Sequence, residues 1–561
     1  MNDNLLQELE NKVDQDYNSS IVPHRIYDIA AWYLLTVSED MARFHFNHTV
    51  EIEPEHIFVY MHFNAYALKN ALGLISKKTE KSKVTLNKRL NGDFYSQYRT
   101  LFDASLKYEK TSRLIMGAYV NNYRIEKCND IYNLIYNSNL IDPRYGALEV
   151  LNHGKKNEDD ITGVLYRLFG DFYADQKLVQ LIRRDAAIKN RLVTYKYTAE
   201  LALHICNMFP QRESLIPNEF VFPWGEWRET QALINSLLIR CMYHVVTVEM
   251  LATSIHPITG GGVESLVLQI TALELRAHLS FFADVGDEKI DSFINHLTYG
   301  YLSKNPDPSL QPILKLENGE LLLPCYSILN NNLQRNVLSL LSRVNPKSFD
   351  AQSSLFEKSM VDDFLQIKDY WSDIFFNEIV ASNKQKEEID VLLFDKANKF
   401  ILAIELRWVT PPGDAREVHN KSNACREKVE QISRKVNFIR DNLRDVISVR
   451  VSSEDLNDCS EWRVEGIVVI KGYGGVSSNI ESIPMMTEDV FLVNASKFKS
   501  LPQLYAWAKS LSWLPSEGVH FDILEETIDV DDVIVTRTGI SMTEKSKFYF
   551  KYHTDSVEQF L

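Results

Sequence analysis

The chain has 561 residues, of which 45% are hydrophobic and 24% are charged, and its formal net charge is −15 at pH 7. This length exceeds one ordinary hydrophobic core and predicts about two to four domains, and the composition excludes a disordered chain. Its six cysteines form no Cys-x-x-Cys pair, which argues against a zinc ribbon or a disulfide framework and favours a reducing, cytoplasmic setting.

The N-terminal part shows apolar residues at the three- and four-residue spacing of amphipathic helices. We find no repeat of fixed period, which argues against a solenoid. The predicted helices cover residues 22–37, 57–75, 94–119, 161–172, 195–207, 229–253 and 263–283. The sequence therefore predicts a large helical domain over residues 1–300, which is a candidate surface for a partner protein or for homo-oligomerisation.

The most apolar long stretch of the chain runs from Ala232 to Ile255. It contains Arg240, His244 and Glu249, and charged groups at this depth are costly in a bilayer. The N-terminus also lacks the basic and apolar segments of a signal peptide. We expect a buried core helix here and no membrane association.

Residues 301–345 are predicted to connect two domains. Within them, Asn318-Gly319 lies between apolar runs and is a strong signal for a tight β-hairpin turn. Residues 346–500 then follow as a second domain, and residues 501–561 as a small C-terminal α/β appendage that contains Trp507 and Trp513.

Two acids interrupt apolar strand-like runs in the second domain. Asp390 lies near the start of the run 388–394, and Glu405 lies near the end of the run 400–408, with a turn-like segment at 395–399 between them. Alternate residues of a strand share a face, so pairing of the two runs brings Asp390 close to Glu405. Isolating a carboxylate from water costs several kcal/mol unless a cation or donor pairs with it, which points to a metal. The alternative is a hairpin whose acids are solvated.

These residues resemble the PD-(D/E)XK, or restriction-endonuclease-like, nuclease superfamily. Ile389-Asp390 and Glu405-Leu406-Arg407 occupy the positions of its signature. The predicted order also fits, with a helix containing Glu357, a strand at 373–380, the hairpin, a polar helix at 426–444 and a strand at 464–470. The resemblance implies an α-β-β-β-α-β core, a mixed sheet flanked by helices, within an α+β multidomain protein.

The resemblance implies a nuclease that depends on Mg²⁺ or Mn²⁺ and hydrolyses phosphodiester bonds, with DNA expected before RNA. Asp390, Glu405 and the backbone carbonyl of Leu406 would hold the cation, because oxygen ligands suit Mg²⁺ and Mn²⁺ better than zinc. Glu357 would act through a metal-bound water or a second metal. Gln431 resembles the helix glutamine of the exonuclease-like branch.

The sequence departs from the family where Arg407 replaces the motif lysine. A guanidinium stays protonated at working pH and cannot act as a general base. Three interpretations stay open: Arg407 orients water and stabilises phosphoryl charge, Lys421 or Lys428 supplies the lysine from the following helix, or the site has decayed. The last would give an inactive nuclease-fold protein that binds nucleic acid or acts as a scaffold.

A basic helix face provides the expected contact with nucleic acid. From residue 384 to residue 447 there are thirteen Lys and Arg against eleven Asp and Glu, unlike the acidic remainder of the chain. Phosphate binding needs only a local basic surface. The predicted contacts are Lys421, Arg426, Lys428, Arg434 and Lys435. Chains of this organisation resemble bacterial restriction or anti-phage defence proteins.

Overall fold

The protein is a mixed α/β protein that divides into two compact units. The computed structural model describes residues 2–560 except 47–53, 121, 129–130, 137–141, 158–160, 210–213, 215, 256–262, 369, 372, 383–384, 411–414, 449–459, 473–482, 531–532, 550–556 and 558. Unit 1 consists of residues 1–9, 113–153 and 353–561, and unit 2 consists of residues 10–112 and 154–352.

The helices of the described residues are, in chain order, α1 Asn2–Ser19, α2 Tyr27–Phe46, α3 Pro54–Lys78, α4 Gly92–Tyr119, α5 Pro143–Asn157, α6 Ile161–Gly170, α7 Gln176–Asp185, α8 Ala199–Cys206, α9 Trp227–Ile255, α10 Ala272–Ser280, α11 Asp287–His296, α12 Cys325–Leu329, α13 Leu333–Val344, α14 Pro346–Gln352, α15 Ser354–Phe364, α16 Ala415–Asp441, α17 Leu443–Ser448, α18 Glu488–Ala495 and α19 Leu501–Ser510.

The strands of the same residues are β1 Tyr123–Cys128, β2 Ile131–Tyr136, β3 Ala186–Lys189, β4 Leu192–Tyr195, β5 Val221–Phe222, β6 Gly225–Glu226, β7 Val267–Ile270, β8 Leu314–Lys315, β9 Leu321–Pro324, β10 Ile374–Ser382, β11 Gln385–Asp395, β12 Phe400–Trp408, β13 Arg463–Lys471, β14 Met485–Thr487, β15 Phe521–Val530 and β16 Val533–Met542.

The observed units do not follow the boundaries predicted at residues 300, 345 and 500. Residues 113–153 belong with the C-terminal part, and the segment 301–345 lies inside unit 2 rather than between domains. The residues of the expected appendage, 501–561, are part of unit 1. The reason is strand pairing between distant segments, because β16 runs parallel to β2 in a sheet of order β1-β2-β16-β15.

The larger sheet of unit 1 has the strand order β10-β11-β12-β13-β14. Neighbours are antiparallel from β10 to β12 and parallel from β12 to β14. The hairpin β11–β12 forms where the sequence predicts it. Antiparallel neighbours need only a short turn, whereas the parallel pair β12–β13 needs a crossover, which α16 and α17 provide.

Strand β12 is the centre of this sheet and is buried on both faces from Phe400 to Leu406. Its near-continuous apolar run is typical of a strand covered by helices on both sides. One face packs against residues of α15, α18 and α19, including Met360, Phe491 and Trp507. The other face packs against α16 through Cys425, Ile432, Val436 and Ile439.

Helix α16 lies very close to the sheet at Gly466 of β13. A Cβ atom on Gly466 would be 2.8 Å from Cγ1 of Ile432 and 2.9 Å from Cγ2 of Val436. These separations are shorter than van der Waals contact, so only glycine fits here without a shift of the helix. Gly466 therefore sets how near α16 comes to β12 and β13.

Unit 2 contains the long apolar helix predicted near residues 232–255. A stretch of α9, Trp227–Ala252, is long and apolar enough to cross a membrane, but 94% of its most apolar window is buried inside the protein. The prediction of a buried helix is confirmed. Inside the unit, Arg43 pairs with buried Glu249 of α9 at 2.8 Å, which supplies the cation that this acid needs.

The single helix predicted over residues 263–283 is wrong. The structure has β7 followed by α10, and Thr271 caps α10 in a capping box with Glu274. The apolar run before Thr271 pairs with β9 instead, because Val267 and Leu268 lie opposite Pro324 and Leu323. A long-range strand partner therefore overrode the helical spacing.

We predict that Gly466→Ala destabilises unit 1 by about 1–3 kcal/mol, the usual range for overpacking a filled core. The added methyl group would press on Ile432 and Val436 of α16. Urea unfolding followed by circular dichroism measures this. The control is Gly73→Ala in α3, where a Cβ meets nothing within 4 Å and the free energy of unfolding should rise by up to about 1 kcal/mol. Equal effects of the two substitutions would contradict this role of Gly466.

Candidate active site at a strand fork

The two predicted acids lie where β11 and β12 separate. Pairing of these strands ends at Val391 and Ile404, so Asp390 and Glu405 occupy the next positions of the same register. Beyond this point β11 pairs only with β10, whereas β12 continues beside β13 as far as Trp408. At the fork, facing backbone groups of the two strands no longer pair with each other. The side-chain oxygens of the two acids lie in the same small region, at the end of a buried hairpin.

Asp390 bridges the fork to the opposite strand. Its Oδ2 accepts the backbone N–H of Leu406 at 2.7 Å. The N–H and C=O of a strand residue point to the same edge, so the Leu406 carbonyl also faces the side on which Asp390 lies. The expected set of Asp390, Glu405 and the Leu406 carbonyl is therefore located at one place, and all of its donors are oxygens.

Glu405 is buried and bound by two lysines of α16. Its side chain is 1% exposed, and its Oε1 and Oε2 accept from Lys428 Nζ at 2.6 Å and Lys435 Nζ at 2.5 Å. The lysine side chains are themselves only 12% and 9% exposed. Two helical turns separate them, which places both ammonium groups on the face that packs on the sheet.

The charges of the two acids and the two lysines balance, but the lysines stabilise the ionised form of Asp390 less than that of Glu405. Burial, and then the negative charge of Glu405, raise the pKa of Asp390 to about 6, although the Leu406 N–H and both lysines act in the opposite direction. The lysines bond directly to Glu405, whereas Asp390 receives a neutral N–H donor. Asp390 is thus the acid of the pair that still lacks a strong positive partner.

Arg407 and Glu357 pair with each other beside the fork. Arg407 Nη1 lies 3.6 Å from Glu357 Oε1, in a partly exposed ion pair. Phe356 stacks on Trp408 with ring centroids 3.8 Å apart, which fixes the start of α15 against the end of β12. The structure thus gives Glu357 a cation as its partner instead of the other two acids. Among the described residues, no group of three or more His, Cys, Asp or Glu side chains is arranged to hold a metal ion.

The remaining predicted residues are distributed along α16. Lys421 donates to the Thr410 carbonyl and lies 4.0 Å from Glu417, so it is not drawn to Glu405. Gln431 is partly buried and lies along α16 between Lys428 and Lys435. The exposed cations of this set are Arg426 and Arg434, and Arg434 bonds to Glu387 of β11 at 3.0 Å.

Lys435 is placed differently from the sequence expectation, which grouped it with the phosphate contacts. Its ammonium group is buried against Glu405, so a phosphate of a nucleic acid could bind this lysine only by displacing the Glu405 carboxylate. A signal for this was present in the sequence. Cys425, Ile432 and Ile439 recur every seven residues on the buried face, and Lys428 and Lys435 each follow one of them by three positions on that same face.

Comparisons of the chain with protein-family models, with curated proteins and with solved structures find no match.

We predict that Asp390→Asn stabilises the protein at pH 8, in the presence of a chelator, by on the order of 1 kcal/mol. Because the pKa of Asp390 is about 6 in the folded protein and lower when unfolded, its protonated form favours folding and this stability is lost as the pH rises through 6. The asparagine keeps an oxygen for the Leu406 N–H. Urea unfolding at pH 4, 6 and 8 should show the gain shrinking toward pH 4, and a pH-independent difference would contradict this account.

Proposed function

We propose that this protein is a metal-dependent nuclease whose active site is the fork between β11 and β12. The observation that carries the proposal is the convergence of Asp390, Glu405 and the Leu406 carbonyl beside the two lysines of α16. The raised pKa of buried Asp390 beside Glu405 also supports the proposal, because active sites are where such perturbed acids are concentrated.

The arrangement of elements in unit 1 supports a restriction-endonuclease-like core. Helix α15, the strands β10, β11 and β12, helix α16 and strand β13 occur in the order α-β-β-β-α-β, with the short helix α17 added after α16. The strands also lie side by side in sequence order, with β13 parallel to β12. This is the order that the resemblance of the Asp390 and Glu405 motif implies.

The oxygen donors fit Mg²⁺ or Mn²⁺. Asp390, Glu405 and the Leu406 carbonyl would hold the ion, which when bound would polarise a phosphoryl oxygen and lower the pKa of a bound water. Both oxygens of Glu405 are engaged by lysines, so a ligand role for Glu405 requires at least one lysine to move. The donor set therefore matches the cation in chemistry, and its use at Glu405 requires that exchange.

Lys428 is our candidate for the role of the motif lysine. Its ammonium group already lies at the acid of the Glu405-Leu406-Arg407 motif, whereas Arg407 is directed to Glu357. A positive charge at this position can orient the attacking water and stabilise developing charge on the phosphoryl oxygens. Arg407 then contributes a positive edge to the site and holds α15 in place.

The substrate we propose is nucleic acid, with DNA before RNA. Arg426 and Arg434 are exposed on the helix that carries the site lysines, so phosphates can approach them from solvent. A function in restriction or anti-phage defence, and a part for unit 2 in recruiting a partner, remain extensions of this proposal.

A second candidate function is an inactive nuclease-fold protein that binds nucleic acid or acts as a scaffold. One observation favours it, namely that Lys428 and Lys435 already satisfy both oxygens of Glu405. A site whose acid is neutralised internally needs no metal for stability. The first experiment below separates the two candidates.

We predict that the purified protein cleaves circular and linear DNA with Mg²⁺ or Mn²⁺ and not with EDTA, and that Asp390→Ala and Glu405→Ala each abolish cleavage. Each substitution removes one of the proposed metal ligands. The matched control is Glu388→Ala, which removes an exposed acid of β11 two residues before Asp390 and should retain at least the wild-type rate. RNA is tested in parallel.

Wild-type protein that cuts neither DNA nor RNA with any of these ions, while it binds nucleic acid, would favour the scaffold. Cutting by folded Glu405→Ala at the wild-type rate would show that the active site does not lie at the fork.

Single-turnover cleavage rates test which residue takes the role of the motif lysine. Lys428→Ala should lose about 10² or more in rate, the scale for losing one electrostatic donor in an active site. Lys421→Ala should remain near wild type because its ammonium group is bonded to the Thr410 carbonyl. Arg407→Lys should also cut, since lysine is the family residue. A large loss in Arg407→Ala together with normal cutting by Lys428→Ala would instead assign the role to Arg407.

A further inference from the structure

We propose that Lys428 and Lys435 are a built-in substitute for the divalent cation, so that metal and lysine compete for Glu405. This inference rests on the metal site proposed above and concerns its regulation. It follows from the position of the two ammonium groups, one on each oxygen of the same buried carboxylate.

The balance of charge at the fork is the physical basis of the competition. Asp390 and Glu405 together carry two negative charges when ionised, and Lys428 and Lys435 carry two positive charges, the charge of one Mg²⁺ or Mn²⁺ ion. Glu405 and both lysines lie on the α16 side of the sheet, where Leu392, Ala403, Ile432 and Val436 are buried. Within such surroundings an added divalent cation brings the local charge to +2, and the withdrawal of one lysine lowers this excess to +1.

The two lysines differ in how easily they can withdraw. The exposed fractions of the two side chains, 12% and 9%, differ little, but Lys428 is nearer the start of α16, where the strands of the fork have separated. Lys435 lies deeper, next to Val436 and the contact of α16 with Gly466. Lys428 is therefore the lysine that leaves Glu405 when a cation enters, and Lys435 stays as its permanent counter-ion.

The exchange has a functional consequence. When Lys428 leaves Glu405, its ammonium group becomes available to a phosphoryl oxygen at the moment at which the cation arrives. In the absence of the cation, the same lysine keeps Glu405 occupied. Without the cation, Glu405 is thus occupied by Lys428, and with the cation it is available as a ligand. Both lysines weaken metal binding, and Lys428 also promotes the reaction.

Direct Mn²⁺ binding tests the inference without a cleavage assay. Isothermal titration calorimetry and electron paramagnetic resonance of bound Mn²⁺ are compared for wild type, Lys428→Met and Lys435→Met at one pH and ionic strength. Methionine matches the length of the lysine stem and removes the charge. Each variant should bind Mn²⁺ about 10-fold more tightly or better, because a positive charge a few ångströms from the ion has been removed.

Two controls identify charge at Glu405 as the cause. Lys428→Arg keeps the charge and should bind Mn²⁺ as wild type does. Lys421→Met removes a charge from the same helix at a lysine bonded to the Thr410 carbonyl, and should also match wild type. Thermal unfolding of each variant without metal confirms that it is folded, and Mn²⁺ should raise the unfolding temperature of Lys428→Met more than that of wild type.

The outcomes separate this inference from the proposed function. Mn²⁺ affinity that is unchanged or weaker in both folded methionine variants overturns the competition, even if the wild type cuts DNA. Tight Mn²⁺ binding by Lys428→Met beside a wild type that neither binds Mn²⁺ nor cuts supports the competition and overturns the nuclease function. Absence of Mn²⁺ binding in every variant overturns both.

Discussion

The structure of unit 1 depends on the burial of one carboxylate, Glu405, in the central strand of a helix-covered sheet. An uncompensated charge at this position costs several kcal/mol, so the rest of the fold must bring cations to it. Helix α16 does this by carrying Lys428 and Lys435 on its apolar face. Because the lysines reach Glu405 only if the helix lies close, the glycine at position 466 is part of the same solution. The close packing of α16 on the sheet and the charge balance at Glu405 therefore depend on each other.

The same constraint explains why the site lies at the fork. Where β11 and β12 pair, ladder hydrogen bonds occupy their backbone groups and apolar side chains fill both faces. Where they separate, the Leu406 N–H has no ladder partner and takes the Asp390 carboxylate instead. Polar chemistry is thus concentrated at a place inside the described sheet where secondary structure leaves backbone groups to satisfy.

Local features were accessible from the sequence and long-range features were not. The hairpin, the turn after Asp395 and the acids at its end follow from alternation and turn chemistry, which act over a few residues. The β7 strand was mistaken for helix because its partner, β9, is some fifty residues away. The pairing of Lys435 with Glu405 and of Arg407 with Glu357 depends on how α15 and α16 dock, which helical spacing alone does not determine. The true limits of unit 1 depend on β2 and β16, which no local pattern connects.

That last pairing has a consequence for biosynthesis. Every residue of unit 2 precedes β10 in the chain, whereas the sheet that begins with β1 and β2 is incomplete until β16 has been made. On the ribosome, β2 therefore holds an unpaired edge while all of the inserted part of unit 2 is translated, and long-range parallel pairing of this kind closes slowly. Unit 2 can complete its core during translation. Unit 1 is completed later, and the charged cluster lies in its other sheet, so the proposed catalytic centre has all of its strands only after β14 has been made.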